Sequence, residues 1–394
     1  MSLKLSLVSL SNTDLPIETK QQALIDIVLR FLTPQERASL FESITHQRET
    51  NLLARYPEYQ SKSLSVLFEL MDYRDLVRLH PNNLHDDDVY LLELTVAECF
   101  PHWLDFWCAC EIEAIKQKYS LENREPATEL SFEDASYSAM LIDDISESSM
   151  RVQLPSYPVA MTLSDAVALS NLELFVQGEK WYEILPLLSL SQKGKHFILL
   201  QTQTTPVLVA SALIQDWNQR NTWLSYAPQF NSEKWRFCLP LHGYQELNRL
   251  DILASDLVTD YGSLTVFDQA FQTHITKTET VCEVLRLTVS GSVQHKLYFL
   301  YLAQKELMNV LFQSGYKVGF TIIEQAFMLN FYQSIDSKAY FHSGYCDING
   351  DGINTYRGFW NFESMVDTFK RTDFRDYKRR IRVIRQNTQV NEHA

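Results

Sequence analysis

The sequence predicts an α+β protein: a helical N-terminal domain over residues 1–150, then a mixed-sheet domain over residues 151–394. Three observations predict it. Apolar residues of the first third recur at helical spacing. From about Ser120 to Met150 the chain turns acidic and serine-rich (Leu141-Ile-Asp-Asp-Ile-Ser-Glu-Ser-Ser), which marks a boundary. Beyond it, β-branched runs alternate with helical segments as far as residue 360.

Gln21, Ala23, Leu24, Ile27, Val28, Phe31 and Leu32 recur at helical spacing along the first of these helices. Thr33-Pro34-Gln35-Glu36 opens the next with a capping box and proline at the first helical position. A third helix is expected from about Ser61 to Leu79, ending before Pro81. Val89 to Tyr119 reads as a longer helical region interrupted at Pro101. In the second domain Thr162–Val176 reads as helix, and His196–Thr202 and Pro206–Ile214 as the two strands of a hairpin. Val281–Val289 is a strand. Gly291-Ser292 then opens a long helix to about Ser314, Gly315 closes it, and Lys317–Ile323 is a second apolar strand. A short helix over about Gln325–Ile335 and a hairpin-like segment, Tyr340–Trp360, complete the order. No repeat of solenoid or propeller period is visible.

Composition narrows the function. At 394 residues there is chain for a full core in each of two domains. A net charge of −14 argues against nucleic acid or an anionic membrane as the main partner. The first ten residues lack a secretory signal's apolar core, and no run approaches the roughly 18 apolar residues of a membrane span. The six cysteines read as buried thiols, neither a disulfide framework nor a zinc site. A cytoplasmic protein without a bound metal is expected.

The chemistry centres on Val281-Cys-Glu-Val-Leu-Arg-Leu-Thr-Val289. A buried strand rarely carries two ionisable groups such as Glu283 and Arg286 unless they pair or react. Three residues apart in a regular strand, they face opposite sides. A shared cleft requires a bulge, and a structural ion pair is the competing reading. Ser292 before the long helix is either a pyrophosphate contact or a simple helix cap. Glu324, at the end of the second strand, is either a cleft residue or the cap of the following helix. Asp347-Ile-Asn349-Gly-Asp351-Gly352 matches the first half of a calcium loop, but Gly358 stands at the twelfth position, where glutamate is needed. A hairpin turn explains it better. His85-Asp86-Asp87-Asp88 reads as acid at a helix start. The basic run Arg371–Arg385 is either a phosphate- or carrier-binding patch or a solvated terminal strand or tail.

The order strand, helix, strand, helix, hairpin resembles the second half of an N-acyltransferase (GNAT-like) fold, with its splayed sheet. Glu-x-x-Arg at Glu283 and Arg286 resembles the signature of acyl-homoserine-lactone synthases. In length, in its helical first part and in the segment from Tyr340-Phe-His-Ser-Gly-Tyr to Gly-Phe-Trp360, the chain resembles the LuxM/AinS/VanM type of these quorum-sensing autoinducer synthases. Phe175 and Trp181 match the Phe and Trp spacing of the LuxI type, but Asn171 stands where that type has arginine, and its paired aspartates lack a counterpart. The resemblance implies S-adenosylmethionine as amine donor, acyl-CoA or acyl carrier protein as acyl donor, and no prosthetic group. It also implies an oxyanion bond from the bulged backbone and amine handling by Glu283, with Arg286 organising the cleft. Phe320, Phe327, Phe331, Tyr332, Tyr340 and Trp360 supply apolar surface for an acyl tunnel, or are ordinary core. An N-acyltransferase for another amine, and a non-enzymatic two-domain protein binding calcium or a partner, are the alternatives.

Overall fold

The computed structural model describes residues 2–60, 62–80, 87–119, 135–227, 230–238, 241–254, 263–323, 326–348, 350 and 352–392. The chain divides into two compact units. One comprises residues 1–124 and 167–192, the other residues 125–166 and 193–394.

The first unit is helical. It contains α1 (Leu3–Ser11), α2 (Ile17–Phe31), α3 (Pro34–Arg55), α4 (Leu64–Phe68), α5 (Tyr73–Leu79), α6 (Asp87–Cys99) and α7 (Trp103–Lys116). The capping box expected at Thr33 is present: Glu36 N–H donates to the Thr33 hydroxyl, and the Thr33 N–H donates to the Glu36 carboxylate. The single helix expected over about residues 61–79 is instead two. Asp72 breaks it by accepting from the N–H groups of Arg74 and Asp75, which starts α5. Inside this unit Arg48 and Glu93, both fully buried, make a two-pronged ion pair at 2.7 and 2.6 Å.

The second unit is built on an open mixed sheet, consistent with the α+β class expected. Among the described residues its strands are β1 (Tyr137–Ile142), β2 (Arg151–Leu154), β3 (Tyr157–Thr162), β4 (His196–Gln201), β5 (Val207–Asp216), β6 (Arg236–Phe237), β7 (Val281–Val289), β8 (Val318–Ile323), β9 (Tyr340–Cys346) and β10 (Thr355–Asn361). The main path runs β1-β4-β5-β7-β8-β10-β9-β6, with β2 and β3 joined at β5. Along that path only β7 and β8 are parallel. Tyr137–Ile142, inside the stretch read as acidic linker, is thus a paired strand at one end of the sheet. Helix α8 (Leu163–Asn171) carries the chain back into the helical unit.

Further helices among the described residues are α9 (Leu241–Arg249), α10 (Leu264–His274), α11 (Val293–Gln313), α12 (Ala326–Ile335), α13 (Phe362–Arg371) and α14 (Phe374–Glu392). One sheet face packs on α11–α14, with Val284, Val289, Phe299, Leu307, Phe331 and Trp360 in the shared core. The other is covered by Trp217, Trp223, Phe230, Leu247, Phe267 and Phe271. The basic C-terminal run is a helix, not an extended tail. Asp373 accepts from the Asp376 N–H at its start, and Tyr377 and Ile381, one turn apart, are buried.

Candidate active site

Strands β7 and β8 pair only from Val281–Val318 to Glu283–Phe320. Both continue beyond that point without pairing to each other, so the sheet opens just after Glu283. On its other edge β7 pairs with β5, and there the register slips: Leu285 faces Leu213, but Thr288 faces Ser211. One extra residue sits on β7, which is a β-bulge. Arg286 lies within it at φ +54°, left-handed backbone that a non-glycine residue adopts only under constraint.

The bulge changes which way the side chains point. Cys282 and Val284 pack into the core under α11, and after the bulge so do Leu287 and Val289. Leu285 and Arg286 therefore both project from the opposite face, the one that carries Glu283. The bulge that a shared cleft for Glu283 and Arg286 requires is present, and the two share a face.

Glu283 is fully buried. Its carboxylate is held by the turn at Leu224–Tyr226, 58 and 59 residues away in sequence. The Leu224 N–H donates at 2.6 Å and the Ser225 N–H at 2.7 Å, and the Ser225 hydroxyl donates to the same oxygen as its own N–H. The local reason is plain. Trp223 is extended, so the first N–H groups of the short turn after it find no partner within the turn and turn to the carboxylate. Burial pushes Glu283 up to about 7, against the hydrogen bonds from Ser225 and Leu224 and the nearby charge of Arg357, all of which pull it down. Arg286 is lowered to about 10 by burial and is still cationic at neutral pH.

Two further groups occupy this face. Arg357 on β10, fully buried, meets Asp268 of α10 at 2.5 Å and lies 5.3 Å from the centre of the Tyr226 ring. Burial raises Asp268 to about 6, although Arg357 opposes the shift. His196 on β4 sits opposite Leu213, which sits opposite Leu285, so the three form a row beside the bulge. Burial lowers His196 to about 4 while its Nδ1 lies 3.0 Å from the Gly194 carbonyl; the imidazole is neutral at pH 7. Sequence reasoning missed Ser225, Asp268, Arg357 and His196. A signal existed for Arg357 and His196, each a polar residue within an apolar strand. None pointed to Ser225, in a loop of mixed composition.

The other expected residues are distributed as follows. Phe320 lies on the Glu283 face beside Trp223, ring centres 5.7 Å apart. Phe331, Tyr332, Tyr340 and Trp360 lie in the core on the opposite face, so the structure divides the proposed tunnel aromatics between the two sides of the sheet. Ser292 precedes α11, but its hydroxyl makes no capping bond and lies 3.3 Å from His295 Nδ1. Glu324 and the side chain of Phe327 lie outside the described residues. Phe175 and Trp181 belong to the helical unit, where their rings meet edge to face at 5.7 Å. Asp347 accepts from the N–H groups of Gly350 and Gly352 between the antiparallel strands β9 and β10, as a hairpin turn would; Asn349 and Asp351 lie outside the described residues. A separate cavity of about 360 Å³ is lined by Lys195, Asp216, Trp217, Glu279 and Tyr316, with Lys195 bonded to Asp216 at 2.6 Å and to the Tyr316 hydroxyl at 2.9 Å.

Comparison with known proteins gives a consistent result. A family model described as acyl homoserine lactone synthase matches residues 18–390. The acyl-homoserine-lactone synthase OpaM of Vibrio parahaemolyticus serotype O3:K6 (strain RIMD 2210633) is 99% identical over 394 residues, the full length of both chains. The acyl-homoserine-lactone synthase LuxM of Vibrio campbellii (strain ATCC BAA-1116) is 58% identical, again over the whole of both. The enzyme of that name from Vibrio atlanticus (strain LGP32) is 50% identical over 97% of this chain and 98% of its own. No solved structure matches.

Proposed function

Because the chain belongs to the acyl-homoserine-lactone synthase family, and is thus an enzyme that makes an acyl-homoserine-lactone quorum-sensing signal, we propose that it does so where β7 and β8 part, from S-adenosylmethionine and an acyl thioester. The observation that carries this reading is the buried Glu283, held near pH 7 beside a bulged strand at the point where the sheet opens. The same bulge and parting of strands support a GNAT-like fold for the second unit.

The chemistry follows from those positions. The amino nitrogen of S-adenosylmethionine attacks the thioester carbonyl, and the oxyanion is met by backbone N–H freed at the bulge. Glu283 accepts the proton that nitrogen must lose. A carboxyl raised by burial to about 7 is matched to that task, a stronger base than an ordinary glutamate. Ser225 fills one carboxylate oxygen with two donors and Leu224 gives the other a single one, so the second oxygen keeps a free lone pair and receives the proton directly or through a water. The tetrahedral intermediate collapses, the C–S bond breaks, and the sulfur leaves as a thiolate that becomes the thiol by taking up the proton Glu283 received, directly or through water. Arg286, cationic and on the same face, holds the substrate carboxylate or the anionic end of the acyl donor. That carboxylate then attacks the carbon next to the sulfonium; the ring closes and methylthioadenosine departs. This second step needs orientation more than acid or base, because a sulfonium is already an activated leaving group.

Either acyl-CoA or acyl carrier protein serves as donor in this reading, and α14 offers a surface for an acidic one. Its exposed face presents Arg375, Lys378, Arg379 and Arg382 on a chain of net charge −14. The substrates are cytoplasmic metabolites, and the reaction is proposed for that compartment; no described helix is long and apolar enough to cross a membrane. The test is mass spectrometry of products from the purified chain with S-adenosylmethionine and a panel of acyl thioesters. The reading expects an N-acyl-homoserine lactone and methylthioadenosine in equal amounts. Acylation of some other amine with S-adenosylmethionine left intact would overturn the proposed substrate.

A further inference from the structure

We infer that Ser225 is a positioning residue for the acyl transfer, holding the Glu283 carboxylate in one orientation and in its proton-accepting form. This rests on the reading of Glu283 as the proton acceptor. Two donors of one residue, the Ser225 N–H and hydroxyl, converge on a single carboxylate oxygen, and the Leu224 N–H takes the other. Ser225 is fully buried, so water does not compete for these bonds. The turn that carries it is itself fixed. Trp223 stacks on Tyr226 with ring centres 5.8 Å apart and planes 2° from parallel, and meets Trp217 edge to face at 5.3 Å.

The surroundings leave few other groups able to hold Glu283 ionised. Its cross-strand neighbours are uncharged: Gln215 on β5 and Phe320 on β8. From β10, Arg357 favours the carboxylate, but its bonded partner is Asp268 of α10. Tyr226, on the same turn as Ser225, is shifted upward by burial first and in part by Glu283 itself, so it is a neutral phenol. Cys282, next along β7, faces the other core and is also neutral, raised by burial. Arg286, cationic, lies within the bulge on the Glu283 face. A hydroxyl donating to a carboxylate stabilises its charged form. Removing that donor leaves burial less opposed, and the proton is held more tightly.

The experiment is the pH profile of kcat/KM for wild type, Ser225→Ala, Ser225→Thr and Glu283→Gln, with S-adenosylmethionine and one acyl-CoA. Ser225→Ala is expected to move the acid limb upward by about one pH unit, which is about a tenfold loss at pH 6 that shrinks as pH rises. Ser225→Thr, which keeps the hydroxyl, is expected to restore the limb. The substrate amine titrates identically in every variant, so the difference between profiles belongs to the enzyme. A loss equal at all pH values, or an unmoved limb while Glu283→Gln is inactive, overturns the role of Ser225 alone. A Glu283→Gln enzyme with the wild-type profile overturns the underlying reading of Glu283. Should Ser225→Ala fail to fold, Ser225→Cys, a weaker donor of similar size, is read the same way with a smaller expected shift.

Discussion

The carboxyl of Glu283 is poised by opposition. Burial alone would leave it protonated, and three donors with one nearby guanidinium bring it back to about 7. This has a consequence for stability whose sign is fixed. Its folded pKa is raised above the ordinary glutamate value of 4.5, so the folded state binds the extra proton between those values. The stabilisation is complete below about pH 4.5 and is lost as pH rises through 7, an amount of about 3 kcal/mol for such a shift. Urea unfolding at intervals from pH 4.5 to 8 is expected to show this fall in wild type and a flatter dependence in Glu283→Gln. Equal slopes in the two would show that Glu283 is not the group responsible. At this scale the sequence was half legible. Two ionisable residues inside an apolar strand drew attention to Glu283 and Arg286; their spacing alone puts them on opposite faces, and only the order of elements after them argued for the bulge that brings them together. The donors that hold Glu283 lie nearly 60 residues upstream, and no local pattern connects a carboxylate in a strand to a serine in a distant turn.

At the scale of elements, close approach of backbones shapes the sheet. On β10 the register with β9 slips between Arg357 and Gly358, and a Cβ at Gly358 would lie 2.1 Å from the Phe341 carbonyl oxygen. Backbone cannot yield as a side chain can, so Gly358→Ala is expected to cost more than about 3 kcal/mol, read as a lowered urea midpoint. Gly319 on β8 faces the Phe362 ring, with a Cβ 2.3 Å from its tip; Gly319→Ala is expected to cost less, because the ring can move. A Gly358→Ala protein as stable as wild type would contradict the described pairing of β9 and β10. Strands and helices with strong periodicity could be read directly: the β4–β5 hairpin, β7, α11, β8 and the β9–β10 hairpin all stand where expected. Among the elements misread, strand β1 lay hidden in an acidic, serine-rich stretch, and others were decided by one polar side chain or a few buried ones. Asp72 divides the helix expected after residue 61, and a basic run becomes α14 through Tyr377 and Ile381.

At the scale of the whole molecule, the two compact units carry their own polar cores. In the helical unit, Arg48 and Glu93 pair out of water, with Tyr73 donating to Glu93 at 2.9 Å and Arg48 donating to the His80 carbonyl at 2.7 Å. Removing one partner strands the other, so Glu93→Ala is expected to destabilise by about 3–5 kcal/mol, whereas replacing both with apolar residues costs far less. Chemical denaturation of the single and double variants checks this; equal losses in the two would contradict it. In the sheet unit, the cationic face of α14 is expected to matter for an acidic donor. Neutralising Arg375, Lys378 and Arg382 is predicted to raise the KM for acyl carrier protein several-fold at low salt, with the difference vanishing at high salt. An unchanged KM would remove α14 from the donor surface. The family of this chain was legible in the Glu-x-x-Arg strand and the order of elements after it. The return of residues 167–192 to the helical unit was not, since it is a matter of packing between distant segments.

The measurement closest to the central claim is release of methylthioadenosine from S-adenosylmethionine, with and without an acyl thioester, by wild type and by Glu283→Gln. Thioester-dependent release by wild type, reduced by about 10²–10⁴-fold in the variant while S-adenosylmethionine still binds, is the result this account predicts. Release at the wild-type rate from Glu283→Gln would contradict it and move the proton transfer to another group on that face.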